Sequence, residues 1–127
     1  MRHIKTGSKR GFFDVLESSD SAQAAMMVLR PGQKSAQTLE NEHPHSEQWL
    51  FVVSGSGTAR VGKRRVEIRA NSLLLIEKGE PHQIENTGRQ RLVTFNLYVP
   101  SAYDQQGEVT LWAKGVAKVI ADAVRRE

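Results

Sequence analysis

Two stretches of the chain decide its fold, and both place histidines beside short apolar strands. The first, Asn41–Gly55, reads NEHPHSEQWLFVVSG, and the second, Ala70–Asn86, reads ANSLLLIEKGEPHQIEN. Each contains an apolar run as long as one β-strand, next to turn signals made of Gly, Pro, Ser or Asn. His43 and His45 stand before the first run, and His82 follows the turn after the second. The pattern predicts β-strands with imidazole side chains beside their turns.

Short apolar runs separated by turns continue over most of the chain. No helical period interrupts them, which favours a sandwich or barrel over an alternating α/β fold. Residues 62–65, GKRR, predict a hairpin with a basic tip. The eight expected strands are Phe12–Glu17, Ala22–Leu29, Trp49–Val53, Thr58–Val61, Val66–Arg69, Leu73–Ile76, His82–Glu85 and Arg91–Val99.

The last part of the chain has a different period. Apolar residues recur every three or four positions between Leu111 and Val124, which predicts an amphipathic α-helix over about residues 110–126. Thr110 suits the N-cap position of this helix. With the barrel over about residues 12–100, we expect a single domain that covers residues 1–127.

Composition limits the compartment and the partners. The 127 residues include no cysteine, which removes disulfides and thiolate metal ligands and fits a reducing compartment. The N-terminus has no apolar signal segment, and no run reaches the roughly 20 apolar residues that span a bilayer. The net charge of +4 comes from basic residues that are scattered along the sequence. We therefore expect a cytoplasmic protein with neither a membrane nor a nucleic acid as partner.

The two quoted stretches resemble the two motifs of the cupin family. The first family motif has H-x-H, a glutamate and a glycine, and this glycine corresponds to Gly55. The glycine, histidine and asparagine of the second motif correspond to Gly79, His82 and Asn86. The resemblance covers about residues 22–100. It implies an all-β double-stranded β-helix, a jelly-roll (cupin) barrel with a pocket inside, here followed by the C-terminal α-helix.

The resemblance also implies a set of metal ligands. Cupins bind one divalent ion through both histidines and the glutamate of the first motif and the histidine of the second. Counted back from Gly55, these positions are Asn41, His43 and Gln48 here, and the fourth is His82. Neutral amide oxygens are weaker donors than carboxylates. We therefore expect at most one weakly held divalent ion, such as Zn, Ni, Fe or Mn.

Strand geometry is compatible with this register. Side chains alternate across a strand, so Asn41 and His43 would share a face, and a bend before Gln48 would turn its side chain to the same side. His45 and Glu47 lie in or near that bend. We expect both at the surface, with a role in the site only if the register is shifted by one step.

Two functions remain open at this point. The first is a binding module that holds a small molecule in the barrel, and the second is a metal-dependent enzyme of the dioxygenase, isomerase or lyase kind. The two amides favour the binding module, and no catalytic residue can be assigned. Trp49, Phe51 and Val53 form an apolar stripe on the strand face opposite Gln48, which predicts a homodimer.

Overall fold

Eight antiparallel β-strands form two sheets that face each other. The computed structural model describes residues 1–41 and 43–104, and all eight expected strands are confirmed with ends within two residues. The strands are β1 (Phe13–Ser18), β2 (Gln23–Leu29), β3 (Glu47–Ser54), β4 (Ser56–Val61), β5 (Arg64–Arg69), β6 (Leu73–Ile76), β7 (His82–Glu85) and β8 (Leu92–Val99).

The strand order is that of a jelly-roll barrel. The larger sheet has the order β1-β2-β8-β3-β6, and the smaller has the order β5-β4-β7. Strand β8, the last of the barrel, lies between β2 and β3 and pairs with both. Strands β4 and β5 form the expected hairpin, whose tip is Gly62 and Lys63. The sheets therefore enclose one interior to which both contribute side chains.

Alternation along the strands separates the core from the outer surface. On β3, Gln48, Leu50 and Val52 are buried, whereas Trp49 and Val53 are exposed, which confirms the expected parity of this strand. Each large apolar side chain buried in this way stabilises the fold by roughly 1.5–3 kcal/mol. The main core consists of Met27, Leu29, Leu50, Val52, Ala59, Ile68, Ile84 and Leu92.

The outer surface of the larger sheet is also apolar. Trp49 pairs in register with Leu75 of β6 on one side and with Leu97 of β8 on the other. All three side chains are exposed, and so are Val53 and Leu73. An exposed apolar patch that spans several strands is typical of an interaction surface. We call these residues the outer apolar face: Trp49, Phe51, Val53, Leu73, Leu75, Phe95 and Leu97.

The corner between β3 and β4 explains the glycine of the first motif. Gly55 has a φ of +87°, and a Cβ on it would lie 2.3 Å from the carbonyl oxygen of Arg91. A side chain there would be strained in its backbone and would clash with the segment that enters β8. Only glycine lets the corner approach β8 this closely.

Two expectations concern helices. The amphipathic helix expected over residues 110–126 lies outside the described residues. Within residues 1–41 and 43–104, the structure contains no helix long and apolar enough to cross a membrane.

Candidate functional site

A cavity of about 130 Å³ lies inside the barrel, between the two sheets. Gln48 from β3 and His82 from β7 contribute its polar wall, and Phe13, Tyr98 and Tyr103 contribute aromatic rings. The full lining is Phe12, Phe13, Met27, Ser35, Glu40, Gln48, His82, Ile84, Tyr98 and Tyr103. The cavity thus brings together one residue of each quoted motif.

His43 is buried directly behind this wall, with only 1% of its surface exposed. Its ring centroid lies 5.0 Å from that of His82 and 5.0 Å from that of Tyr98. Its Nδ1 is 3.2 Å from the carbonyl oxygen of Ser46, and its Nε2 is 3.1 Å from Oε1 of Gln48. Both partners are acceptors, and a neutral imidazole has one N–H, so His43 donates to only one of them at a time.

A buried chain of amides fixes the orientation of the Gln48 side chain. Gln48 Nε2 donates to Oδ1 of Asn96 over 3.0 Å, and Asn96 Nδ2 donates to Oγ1 of Thr94 over 3.0 Å. The same Nδ2 faces the backbone carbonyls of Thr94 and Ala25. Because carbonyl oxygens only accept hydrogen bonds, Asn96 faces Thr94 and Ala25 with its NH₂ group. Its Oδ1 then faces Gln48 and accepts a hydrogen bond from the NH₂ group of Gln48. Gln48 therefore presents its oxygen to His43, so each ring nitrogen of His43 faces an acceptor.

The ring of His82 faces an acceptor at one nitrogen. Its Nδ1 lies 3.0 Å from the carbonyl oxygen of Glu80, so Nδ1 is the donor and Nε2 keeps a lone pair. Its backbone N–H donates to the carbonyl oxygen of Glu40, which fixes the start of β7 against the preceding segment. The hydrogen bonds therefore assign one tautomer to His82, whereas His43 has an acceptor at both ring nitrogens.

Both imidazoles are held in the uncharged state. Burial lowers the pKa of His43 below its usual value of 6.5, against the opposing effect of its hydrogen bonds to Ser46 and Gln48. Burial likewise lowers the pKa of His82, and repulsion from His43 adds to this effect, whereas Glu80 opposes it. At pH 7 the wall formed by Gln48 and the two histidines carries no net charge.

Asn41 has a different position from that expected. Residues 41 and 43 precede β3, which begins at Glu47, so strand alternation does not apply to them and the expectation of a shared strand face was wrong. Instead, Oδ1 of Asn41 accepts a 2.8 Å hydrogen bond from the backbone N–H of His43, an Asx turn that orders this segment. Two buried polar atoms here, Nδ2 of Asn41 and Oγ of Ser46, have no partner among the described residues.

The remaining candidates lie outside the cavity wall. His45 is exposed, as expected. Glu47 is partly buried, and its Oε2 accepts a 2.7 Å hydrogen bond from the indole N–H of Trp49. Within residues 1–41 and 43–104, no group of three or more His, Cys, Asp or Glu side chains could hold a metal ion.

The sequence analysis missed the aromatic wall and the amide behind Gln48. Tyr98 and Asn96 are at inward positions of β8, with the same parity as Leu92, so strand alternation could have identified both. Tyr103 follows the last strand and shows no pattern in sequence. Its ring lies 4.6 Å from that of Phe13 and 4.9 Å from that of Tyr98.

Known proteins share both the sequence pattern and the fold. A polyketide synthase protein of Streptomyces glaucescens, the tetracenomycin protein TcmJ, is 33% identical over 89 residues, which are 68% of this chain and 56% of that protein. The chain therefore spans little more than half the length of this relative.

Solved structures agree with these sequence matches. A protein from Bacillus halodurans superposes with a TM-score of 0.72 at 26% identity, covering 90% of this chain and 87% of that one. A double-stranded β-helix protein from Klebsiella pneumoniae superposes with a TM-score of 0.63 at 18% identity, covering 76% and 83% respectively. The profile of the cupin domain matches residues 25–98, more than half of the chain. This chain belongs to the cupin family.

Proposed function

We propose that the barrel binds a small, uncharged organic molecule that carries a hydroxylated aromatic ring. The observation that carries the proposal is the composition of the cavity wall. Aromatic rings line one part of it, and uncharged hydrogen-bonding groups line another. Glu40, which is exposed at the surface, is the one carboxylate among the lining residues.

The aromatic part of the wall suits a planar ring. Phe13, Tyr103 and Tyr98 are joined by ring-centroid distances of 4.6 and 4.9 Å, within the range of about 4.5–7 Å that aromatic pairs prefer. A cavity of about 150 Å³ lined by apolar side chains holds one benzene molecule in another protein. The cavity here, at about 130 Å³, is therefore of the size of a single ring.

The polar part of the wall suits a hydroxyl group. His82 Nε2 has a free lone pair, because Nδ1 faces the carbonyl of Glu80. An uncharged acceptor in a buried site favours a neutral O–H donor over an ammonium group, whose desolvation costs far more. The relative from Streptomyces glaucescens is a polyketide synthase protein. A hydroxylated ring made by polyketide chemistry is accordingly one member of the proposed ligand class.

The alternative, a metal-dependent enzyme, needs donors that these residues supply poorly. Position 48 offers a neutral amide oxygen, which already lies 3.1 Å from Nε2 of His43. Oδ1 of Asn41 is engaged by the backbone of His43, and its free atom, Nδ2, is an N–H donor that repels a cation. The set does not fit a tightly bound divalent ion. We therefore propose that any divalent ion is held weakly and that ligand binding does not depend on it.

A cavity-filling variant tests the proposed ligand class. Ile84→Phe should occupy the cavity and weaken the binding of phenol, used as the probe, by about tenfold or more, because the added ring takes the same volume. Leu75→Phe on the outer apolar face is the matched control and should leave binding unchanged. Binding is followed by NMR chemical shifts, and thermal melting checks that both variants fold. Equal binding of phenol by both variants would contradict the proposal.

A second variant tests the weak metal site. Gln48→Glu should raise the affinity for Zn²⁺, Ni²⁺ or Mn²⁺ at least tenfold, about 1.4 kcal/mol, because a carboxylate replaces a neutral donor next to His43 and His82. Thermal melting checks that the variant folds, because its carboxylate no longer donates to Oδ1 of Asn96. The control is Gln37→Glu at an exposed position. If titration calorimetry shows that Gln48→Glu leaves the metal affinity unchanged, then the side chains at positions 43, 48 and 82 do not surround one point.

We also propose that two copies associate through the outer apolar face. Leu73 is 60% exposed and Leu75 is 43% exposed, and both adjoin the exposed Trp49 across the β3–β6 pair. Leaving such a surface in water is unfavourable by roughly 25 cal/mol for each square ångström of apolar area. A second copy presents the same surface, which makes an isologous dimer self-complementary.

Light scattering tests the dimer. The wild-type protein should have twice the 14.2 kDa mass of one chain at tens of micromolar, and the double variant Leu73→Lys, Leu75→Lys should have the mass of one chain. The charged side chains repel each other across the two-fold axis and cannot be desolvated without a partner. The matched control is the double variant Gln37→Lys, Thr38→Lys, which adds the same charge at exposed positions away from the outer apolar face. A monomeric wild-type protein would contradict the proposal.

A further inference from the structure

Four basic side chains lie together at the end of β8 that is remote from the cavity. The cavity lies near Tyr98, at the end of this strand, whereas Arg91 directly precedes its first residue. Two depressions of about 300 and 330 Å³ occur there, and they adjoin because both are lined by Arg10, Val28 and Arg91. We call this surface the basic groove and define it by Lys9, Arg10, Arg30 and Arg91.

We propose that the basic groove binds a small molecule that carries a diphosphate group. This site shares only Phe12 with the lining of the barrel cavity and does not depend on the function proposed for that cavity.

The fold fixes the backbone of two of the arginines. The carbonyl of Arg91 lies against Gly55, at the corner where no side chain fits. Arg30 begins a tight turn in which its carbonyl accepts a 2.9 Å hydrogen bond from the backbone N–H of Gln33. Gln33 Oε1 in turn accepts from the backbone N–H of Arg30 over 3.0 Å. These two guanidinium groups therefore extend from rigid positions at the end of the larger sheet.

The N-terminal segment supplies the other two cations. It is attached to β2 by a 3.0 Å hydrogen bond from the backbone N–H of Val28 to the carbonyl of Phe12. Nε of Arg10 donates to the carbonyl of Gly7 over 3.0 Å, which orients this guanidinium toward the groove wall. Lys9 follows a turn closed by its N–H and the carbonyl of Thr6.

The acidic side chains lie outside the lining of the groove. No carboxylate lines either depression, and the ion pair found within residues 1–41 and 43–104 is Arg2 with Glu17, at a different place. The nearest acid in sequence, Asp14, accepts a 3.0 Å hydrogen bond from the backbone N–H of Gly11. Several like charges on a concave surface produce a positive potential that an anion relieves.

The residue types and the shape identify the class of anion. Guanidinium groups form paired hydrogen bonds with phosphate oxygens, and three of the four cations are arginines. Arg10 and Arg91 line both depressions, so they can contact two linked phosphate groups at once. Phe12, 46% exposed, lines the second depression and offers an apolar contact for the organic part of such a ligand.

Titration calorimetry with inorganic pyrophosphate tests the site on the full chain. The double variant Arg10→Gln, Arg91→Gln should bind pyrophosphate about tenfold or more weakly than wild type, because it loses both shared guanidinium groups. The matched control, Arg64→Gln with Arg65→Gln, removes two exposed arginines of β5 and changes the net charge by the same amount. It should stay within about twofold of wild type, since a remote charge is largely screened by salt.

Several results would overturn the proposal. Wild-type protein that does not bind pyrophosphate would refute the site directly. Equal losses in the two double variants would mean that net charge alone attracts the anion. A single-stranded oligonucleotide that binds more tightly than pyrophosphate would assign the groove to nucleic acid instead. Thermal melting checks that both variants fold, and substituting exposed arginines by glutamine is expected to leave the barrel intact.

Discussion

The pocket depends on the hydrogen bond between Oε1 of Gln48 and Nε2 of His43, over 3.1 Å. This contact joins β3 to the turn that precedes it, and the amide of Gln48 continues through Asn96 to β8. Each member of the chain is buried, so an unpaired donor or acceptor would cost roughly 1–3 kcal/mol. The chain therefore fixes the direction of the amide and places its oxygen against the imidazole of His43.

The same interaction explains why the site is uncharged. A glutamate at position 48 would place a negative charge in the barrel, and such a charge is stable only beside a cation or several strong donors. With glutamine, the hydrogen bonds between Gln48, Asn96 and His43 are satisfied by the protein alone. Burial also lowers the pKa of both histidines, so neither ring carries a positive charge at neutral pH. The amide at 48, the buried imidazoles and the aromatic wall all favour a neutral ligand.

Much of this architecture could be predicted from sequence because it follows from local periodicity. The eight strands and the inward parity of Gln48 come from alternation and turn residues, and the proximity of His43 to His82 came from the family resemblance. The position of Asn41 was not predictable in this way, because an Asx turn with His43, and not a strand, sets its direction. The contacts of Tyr103 depend on how the chain folds back after β8, and no periodic pattern encodes that path.

The most direct test of an uncharged, hydrogen-bonded pocket is nitrogen-15 NMR of the histidine rings as a function of pH. The account predicts that His43 is a neutral imidazole and that His82 carries its proton on Nδ1 at neutral pH. It also predicts that the pKa of each ring lies below 6.5, because burial disfavours the imidazolium form. If His82 instead carried its proton on Nε2, it could not accept a hydrogen bond from a hydroxyl group in the cavity. That result, or a pKa above 6.5 for both rings, would contradict the account.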